Sequence, residues 1–286
     1  MQRSDCVRRR YSDITANSFH QRIHFDFSDL NVGPENVNVL ETAMASLAAN
    51  FGMVRAHPIC PLALLTLVPS QEWSIHYSTK VKRMAILVSK FDHCLYDLLI
   101  RHKSGELACT IPLIISNHPD LEEVARQFGV RFVHLPIAAG GDKAAAKAAQ
   151  EAAIEALIED EAIDLLVLAR YMQVLSPGFC DRNARRTVNI HHSFLPAFEG
   201  GRPYHRAHER GVKLIGATAH LATSELDAGP IIEQDTARIT HRDSVEAMVR
   251  KGRDLERTVL ARGVKALLEN RVIVSGTRTV VFEETS

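Results

Sequence analysis

Asn189 and His191 stand two residues apart in TVNIHHSFLPAF, residues 187 to 198, and Asp227 lies directly before Ala-Gly-Pro in HLATSELDAGPII. An amide, an imidazole and a carboxylate suffice for acyl chemistry without a covalent nucleophile. The amide and a protonated imidazole can stabilise an oxyanion, while the carboxylate tunes the imidazole and handles a water. On a strand, Asn189 and His191 share a face and His192 points elsewhere. The same pattern also suits a buried asparagine and histidine satisfied by backbone partners, and spacing alone leaves both readings open.

Other chemistries fit less well. Adjacent His191 and His192 cannot both ligate one ion from a strand, and the helical pair His205 and His208 has no nearby acidic or cysteine partner, so no metal is expected. Ser193, in HHSFL, lacks the flanking glycines of a G-x-S-x-G elbow. The glycine pair in AAGGDKAAAK (138–147) has neither dinucleotide nor phosphate-loop spacing, and SKFDHCLYD after the first parallel strand contains no glycine.

The elements that must position these residues begin near Val81. RMAILVS, TIPLIISN, RFVHLPI, DLLVLAR and TVNIHHS are short apolar strands separated by helical patterns, which predicts a mostly parallel α/β sheet with helices on both faces. A plausible helix starts with Pro119 in its first turn, and DKAAAKAAQEAAIEALIEDEA favours helix through its alanines. KLIGATAHLAT and PIIEQDTARI read as an added strand pair, SVEAMVRKGRDLERTVLARGVKALLEN as one long helix, and RVIVSGTRTVVF as a hairpin. The Asn189/His191 face then lies near the C-terminal end of a central strand, the edge where open α/β sheets place ligands.

Bulk properties exclude several classes. Lys plus Arg equals Asp plus Glu, at 34 each, so no net field attracts nucleic acid or an anionic membrane. The five scattered cysteines suit a reducing compartment, and the longest apolar run, ICPLALLTLV, is too short to span a bilayer. With no signal pattern at the N-terminus, a cytoplasmic location is expected.

Residues 83 to 286 resemble the formyltransferase-fold family that uses 10-formyltetrahydrofolate. NIHHSFLP matches its Asn-x-His and Ser-x-Leu-Pro motif, and HLATSELDAGPII its later His-to-Asp-x-Gly motif; SKFDHCLYDLLIRHKSGEL, ISNHPDL, LARYMQVLS and GVKLIGATAH support the match. The resemblance is strongest to the hydrolase branch, the formyltetrahydrofolate deformylases. It implies a Rossmann-like catalytic domain over 81–286 and a catalytic trio of Asn189, His191 and Asp227. It also implies a folate pocket lined by Met172, Gln173, Val174 and Leu175 on one side and Thr223, Ser224, Glu225 and Leu226 on the other. No cofactor or metal is implied; the partner is the small-molecule folate, and the family tends to be homo-oligomeric. Residues 1–80 resemble a small α+β ACT-like (ferredoxin-like) module, incomplete at its N-terminus and with an insertion at 54–71. Its middle hairpin is YSDITANSFHQRIHFDF, its second helix spans 35–53, and EWSIHYS is a further strand. Two other readings remain: formyl transfer to an amine such as glycinamide ribonucleotide, and an amino-acid-sensing regulatory protein with a relic catalytic half. The absence of a glycine-rich phosphate cradle after the first parallel strand argues against the transferase.

Overall fold

Met84 to Val88 are all buried, and they face alternate sides: Met84, Ile86 and Val88 enter one core, Ala85 and Leu87 another. This two-sided burial makes the run a central parallel strand and requires helices on both faces. The computed structural model describes residues 7–14, 18–24, 37–50, 53–55, 71–137, 142–197 and 202–284. In chain order the elements are β1 (Val7–Asp13), β2 (Ser18–His24), α1 (Val37–Asn50), β3 (Met53–Arg55), β4 (Gln71–Trp73), β5 (Lys82–Val88), α2 (His93–Lys103), β6 (Cys109–Thr110), β7 (Leu113–Ser116), α3 (Glu122–Gln127), β8 (Arg131–His134), α4 (Lys143–Asp160), β9 (Leu165–Leu168), α5 (Pro177–Arg182), β10 (Thr187–His191), α6 (Pro203–Arg210), β11 (Leu214–Leu221), β12 (Ile231–Arg238), α7 (Val245–Leu268), β13 (Val272–Ser275) and β14 (Arg278–Val281).

The main sheet runs β12-β11-β10-β9-β5-β7-β8, with β6 beside β5. Strands β5 to β10 pair parallel, whereas β10, β11 and β12 pair antiparallel, as the added strand pair predicts. Helices α2, α3 and α7 supply Leu95, Val124 and Val259 to the core on one face, and α4 and α5 supply Ile154 and Phe179 on the other. Ser244 and Asp142 cap α7 and α4 through their side-chain oxygens, satisfying first-turn N–H groups.

Several sequence expectations shift. The helix after β7 starts at Glu122 rather than Pro119, because residues 119–122 form a turn in which Glu122 N–H donates to the Pro119 carbonyl (3.0 Å). EWSIHYS is a strand only as far as Trp73. Its described pairing with β3 ends at Arg55 opposite Trp73, and beyond it the Ser74 and His76 side chains bond each other (3.0 Å). The expected N-terminal hairpin forms between β1 and β2, followed by α1. Most of the 54–71 segment and the 138–141 glycine pair lie outside the described residues.

Candidate active site

On β10, Val188 and Ile190 pack into the core beneath α7, which leaves Asn189 and His191 on the opposite face by strand alternation. Antiparallel pairing sets Asn189 opposite His220 and His191 opposite Thr218 on β11, so the four side chains share one face. A register irregularity at Ala219/His220 alters the β11–β12 pairing beside them.

Asp227 arrives from the loop joining β11 to β12. That loop is pinned at its base: Leu221 N–H donates to the Pro230 carbonyl (2.9 Å) and Ala222 N–H to the Thr187 carbonyl (2.8 Å). Gly229 permits the pinning, since a Cβ there would lie 1.7 Å from the Leu221 oxygen. Asp227 has φ 56°, a left-handed conformation that aspartate tolerates better than most residues. It brings Oδ1 to 3.2 Å from His191 Nδ1 and 3.9 Å from His220 Nε2, with all three side chains at least nine-tenths buried.

The carboxylate fixes the orientation of the imidazole. His191 Nδ1 faces Asp227, and the buried Nε2 has no hydrogen-bond partner among the described residues. His220 Nδ1–H donates to the Leu221 carbonyl (3.0 Å), so its Nε2 is the bare acceptor for Asn189 Nδ2–H at 3.1 Å. Burial holds His220 below the usual histidine range, consistent with that neutral tautomer. One N–H of Asn189 is committed to His220, and its second lies on the same strand face as His191.

Thr218 fastens the turn after β10, donating to the Ser193 carbonyl (2.8 Å) and accepting from Leu195 N–H (3.1 Å) and Gln234 Nε2 (2.9 Å). Ser193 Oγ donates to the Ala197 carbonyl (2.7 Å), so its hydroxyl has a structural use. His192 follows the end of β10, its ring edge-on to His191 (5.2 Å) and Tyr204 (6.1 Å). Burial, with the charge of Arg170, pushes His192 down to about 3.

The expected folate residues divide by environment. Met172, Val174 and Leu226 are apolar yet more than half exposed, and Ser224 and Glu225 are exposed too. Thr223 Oγ donates to the Glu225 carbonyl (2.9 Å), closing the turn that leads to Asp227. Gln173 lines an open cleft of about 460 Å³ with Asn117, His118, His134 and Pro136. Leu175 instead packs against the core between the sheet and α4/α5. His220 received no role from the sequence, although it opens the quoted motif; its pairing with Asn189 depends on strand register. For metal, ligand atoms of His93, Cys94 and Glu256 lie within 4.8 Å of one another. His93 and Glu256 contact directly at 2.7 Å beside Arg170, and burial raises the Cys94 thiol, so the cluster is neutralised from within and is a poor cation site.

Residues 82–264 match the formyl transferase family. A formyltetrahydrofolate deformylase of Synechocystis is 54% identical over 233 residues, which is 82% of this chain and 80% of that protein. The chain belongs to the formyltetrahydrofolate deformylase family. The crystal structure of a family member from Pseudomonas syringae pv. tomato superposes with a TM-score of 0.84 at 42% identity, covering 97% of this chain and 84% of the other. A glycinamide ribonucleotide transformylase from Symbiobacterium toebii shares the fold at greater distance, with a TM-score of 0.67, 28% identity, and coverage of 74% and 99%. The formyltransferase fold is therefore the architecture of the sheet from β5 to β12.

Proposed function

We propose that this chain hydrolyses 10-formyltetrahydrofolate to tetrahydrofolate and formate at Asn189, His191 and Asp227. The observation that carries the reading is the oriented His191: Nδ1 held by Asp227 at 3.2 Å, and Nε2 buried and unpartnered among the described residues, on the strand face that also carries Asn189. The formyl oxygen takes the position between His191 Nε2–H and Asn189 N–H. Water attacks the formyl carbon, its proton passing to Asp227, while the two donors stabilise the developing oxyanion. The C–N10 bond then breaks as Asp227 returns its proton to N10, and formic acid leaves, losing its proton to solvent as formate.

Exposed Met172, Val174 and Leu226 form the apolar bed for the pterin, with Gln173, Thr223, Ser224 and Glu225 at its rim and Leu175 supporting it from below. The cleft beside Gln173, with His118 and His134, receives the anionic tail. Residues 1–80 form the ACT-like module, and the assembly is a homo-oligomer. The reaction draws on no metal or other cofactor. The equal numbers of cationic and anionic residues argue for a small-molecule partner rather than nucleic acid. Among the described residues no helix is long and apolar enough to cross a membrane, and a cytoplasmic site of action accords with the substrate.

The test is direct: incubate the protein with 10-formyltetrahydrofolate, with and without glycinamide ribonucleotide, and follow formate. Acceptor-independent release supports hydrolysis, strict dependence on the amine supports transfer, and no release supports a regulatory relic.

A further inference from the structure

Two neighbouring parallel strands run out of apolar residues at the same level. Val88 of β5 stands opposite Ser116 of β7, so Ser89 and Asn117 are the next residues beyond the ladder. Ser89, Ser116 and Asn117 are all buried, and a buried hydroxyl or amide must find its partner inside the protein. Ser89 Oγ donates to Asn117 Oδ1 at 2.6 Å and accepts from the backbone N–H of Met172 at 3.0 Å. Ser116 Oγ accepts from His118 N–H at 3.1 Å, which fixes the turn that carries Asn117.

Met172 belongs to neither strand. It lies in the loop after β9, where Ala169 N–H donates to the Leu87 carbonyl (2.9 Å) and ties the start of the loop to β5. Further along, side chains hold the loop. The Tyr171 hydroxyl donates to Gln150 Oε1 (3.3 Å), Met172 N–H donates to Ser89, and Ser176 N–H donates to Glu151 Oε1 (2.8 Å). Gln150 Nε2 also donates to the Leu135 carbonyl. The loop is thereby fastened to both sides of the cleft beside Gln173, at Asn117 through Ser89 and at Leu135 through Gln150. Met172 and Val174 stay more than half exposed on this framework, although apolar side chains gain free energy by leaving water.

We infer that Ser89 is a positioning residue for the folate substrate: its hydroxyl, oriented by Asn117, sets the Met172 backbone so that Met172 and Val174 remain turned outward. On the hydrolase reading above, on which this rests, those two side chains contact the pterin. Ser89 itself touches no reacting atom. Without its hydroxyl, the Met172 N–H and Asn117 Oδ1 lose their partner, and the apolar pair is free to turn toward the core. The substrate must then reorder the loop, which lowers affinity. Asn189, His191 and Asp227 are held by separate bonds on β10 and in the β11–β12 loop, so the chemical step is spared.

Wild type, Ser89→Ala and Ser89→Thr are compared in steady-state formate release from 10-formyltetrahydrofolate, with stability measured by denaturant titration. Ser89→Ala is expected to raise KM about 10-fold, as for one lost hydrogen bond, with kcat within about 3-fold of wild type. The Kd for tetrahydrofolate, measured by calorimetry, should rise in parallel, and Ser89→Thr, which keeps the hydroxyl, should recover most of the affinity. A serine with a purely structural part would lose stability in Ser89→Ala and leave KM and Kd where they were. That result, or a fall in kcat at unchanged KM, overturns the inference. Should Ser89→Ala not fold, Ser89→Cys, close in volume but only a weak donor, is read in the same way. Wild type that releases no formate overturns the hydrolase reading and this inference with it, whereas turnover with an unmoved KM overturns the inference alone.

Discussion

Asn189 and His220 face each other across β10 and β11, and the amide of the first donates to the bare Nε2 of the second at 3.1 Å. The bond fixes the amide's orientation, which on the proposed mechanism leaves its other N–H for the oxyanion. His220→Ala should lower kcat by about 10- to 100-fold with little change in KM, the loss of one orienting bond to a buried group. Steady-state kinetics check this, and partial recovery in His220→Gln, whose amide oxygen can accept, separates orientation from simple packing.

Asp227→Asn removes the charge that faces His191 Nδ1 but keeps a residue that tolerates the left-handed backbone. Turnover should fall about 10²- to 10³-fold while the melting temperature stays close to wild type. An active Asp227→Asn protein would remove the carboxylate from the mechanism.

Gly229→Ala should close off the Asp227 loop from its native seat, since the new Cβ would meet the Leu221 oxygen at 1.7 Å. We expect a loss of about 1–3 kcal/mol of stability together with a fall in kcat, read from denaturant titration and formate release. A stable but fully active variant would show that the loop closes in another way.

Gly252→Ala reverses a familiar sign. Within an exposed helix this exchange stabilises by roughly 1 kcal/mol, but on α7 the added Cβ would lie 2.0 Å from the Tyr204 hydroxyl that serves Glu256. Destabilisation of about 1–3 kcal/mol is expected, measured by chemical denaturation.

Acid should weaken the fold well before carboxylates titrate. His192 is held down to about 3 from an ordinary 6.5, chiefly by burial, and His220 is lowered in the same direction. The unfolded chain binds these protons below pH 6.5 and the folded chain resists them, so stability is full above pH 6.5 and declines as pH falls toward 3. His192→Gln should make that decline shallower by one proton between pH 6 and 4, and an unchanged slope in pH-dependent denaturation would count against it.

The parallel strands were legible because β5, β7 and β9 are apolar on both faces, whereas spacing left Asn189 and His191 open between core and catalysis, and the resemblance alone singled them out with Asp227. His220 was not legible as a partner of Asn189, 31 positions away, since only the antiparallel register aligns them. Glu256 reads in sequence as one more acid on a charged helix; its burial arises because His93, Arg170 and Tyr204 converge on it from three other elements. The strand expected over 72–78 ends at Trp73, because alternation specifies a face but not how far a strand runs.

His191 and His192 are joined by one peptide bond yet belong to different electrostatic compartments. The first contacts Asp227, and the second lies under the influence of Arg170 and Glu256. With ring centres 5.2 Å apart, two imidazolium charges would repel each other strongly. By keeping His192 neutral, the protein places no second charge beside the imidazole that, on the proposed mechanism, faces the oxyanion. The doublet thus sets a ring turned toward the Asp227 carboxylate next to a neutral one, a division set by where the strand stops.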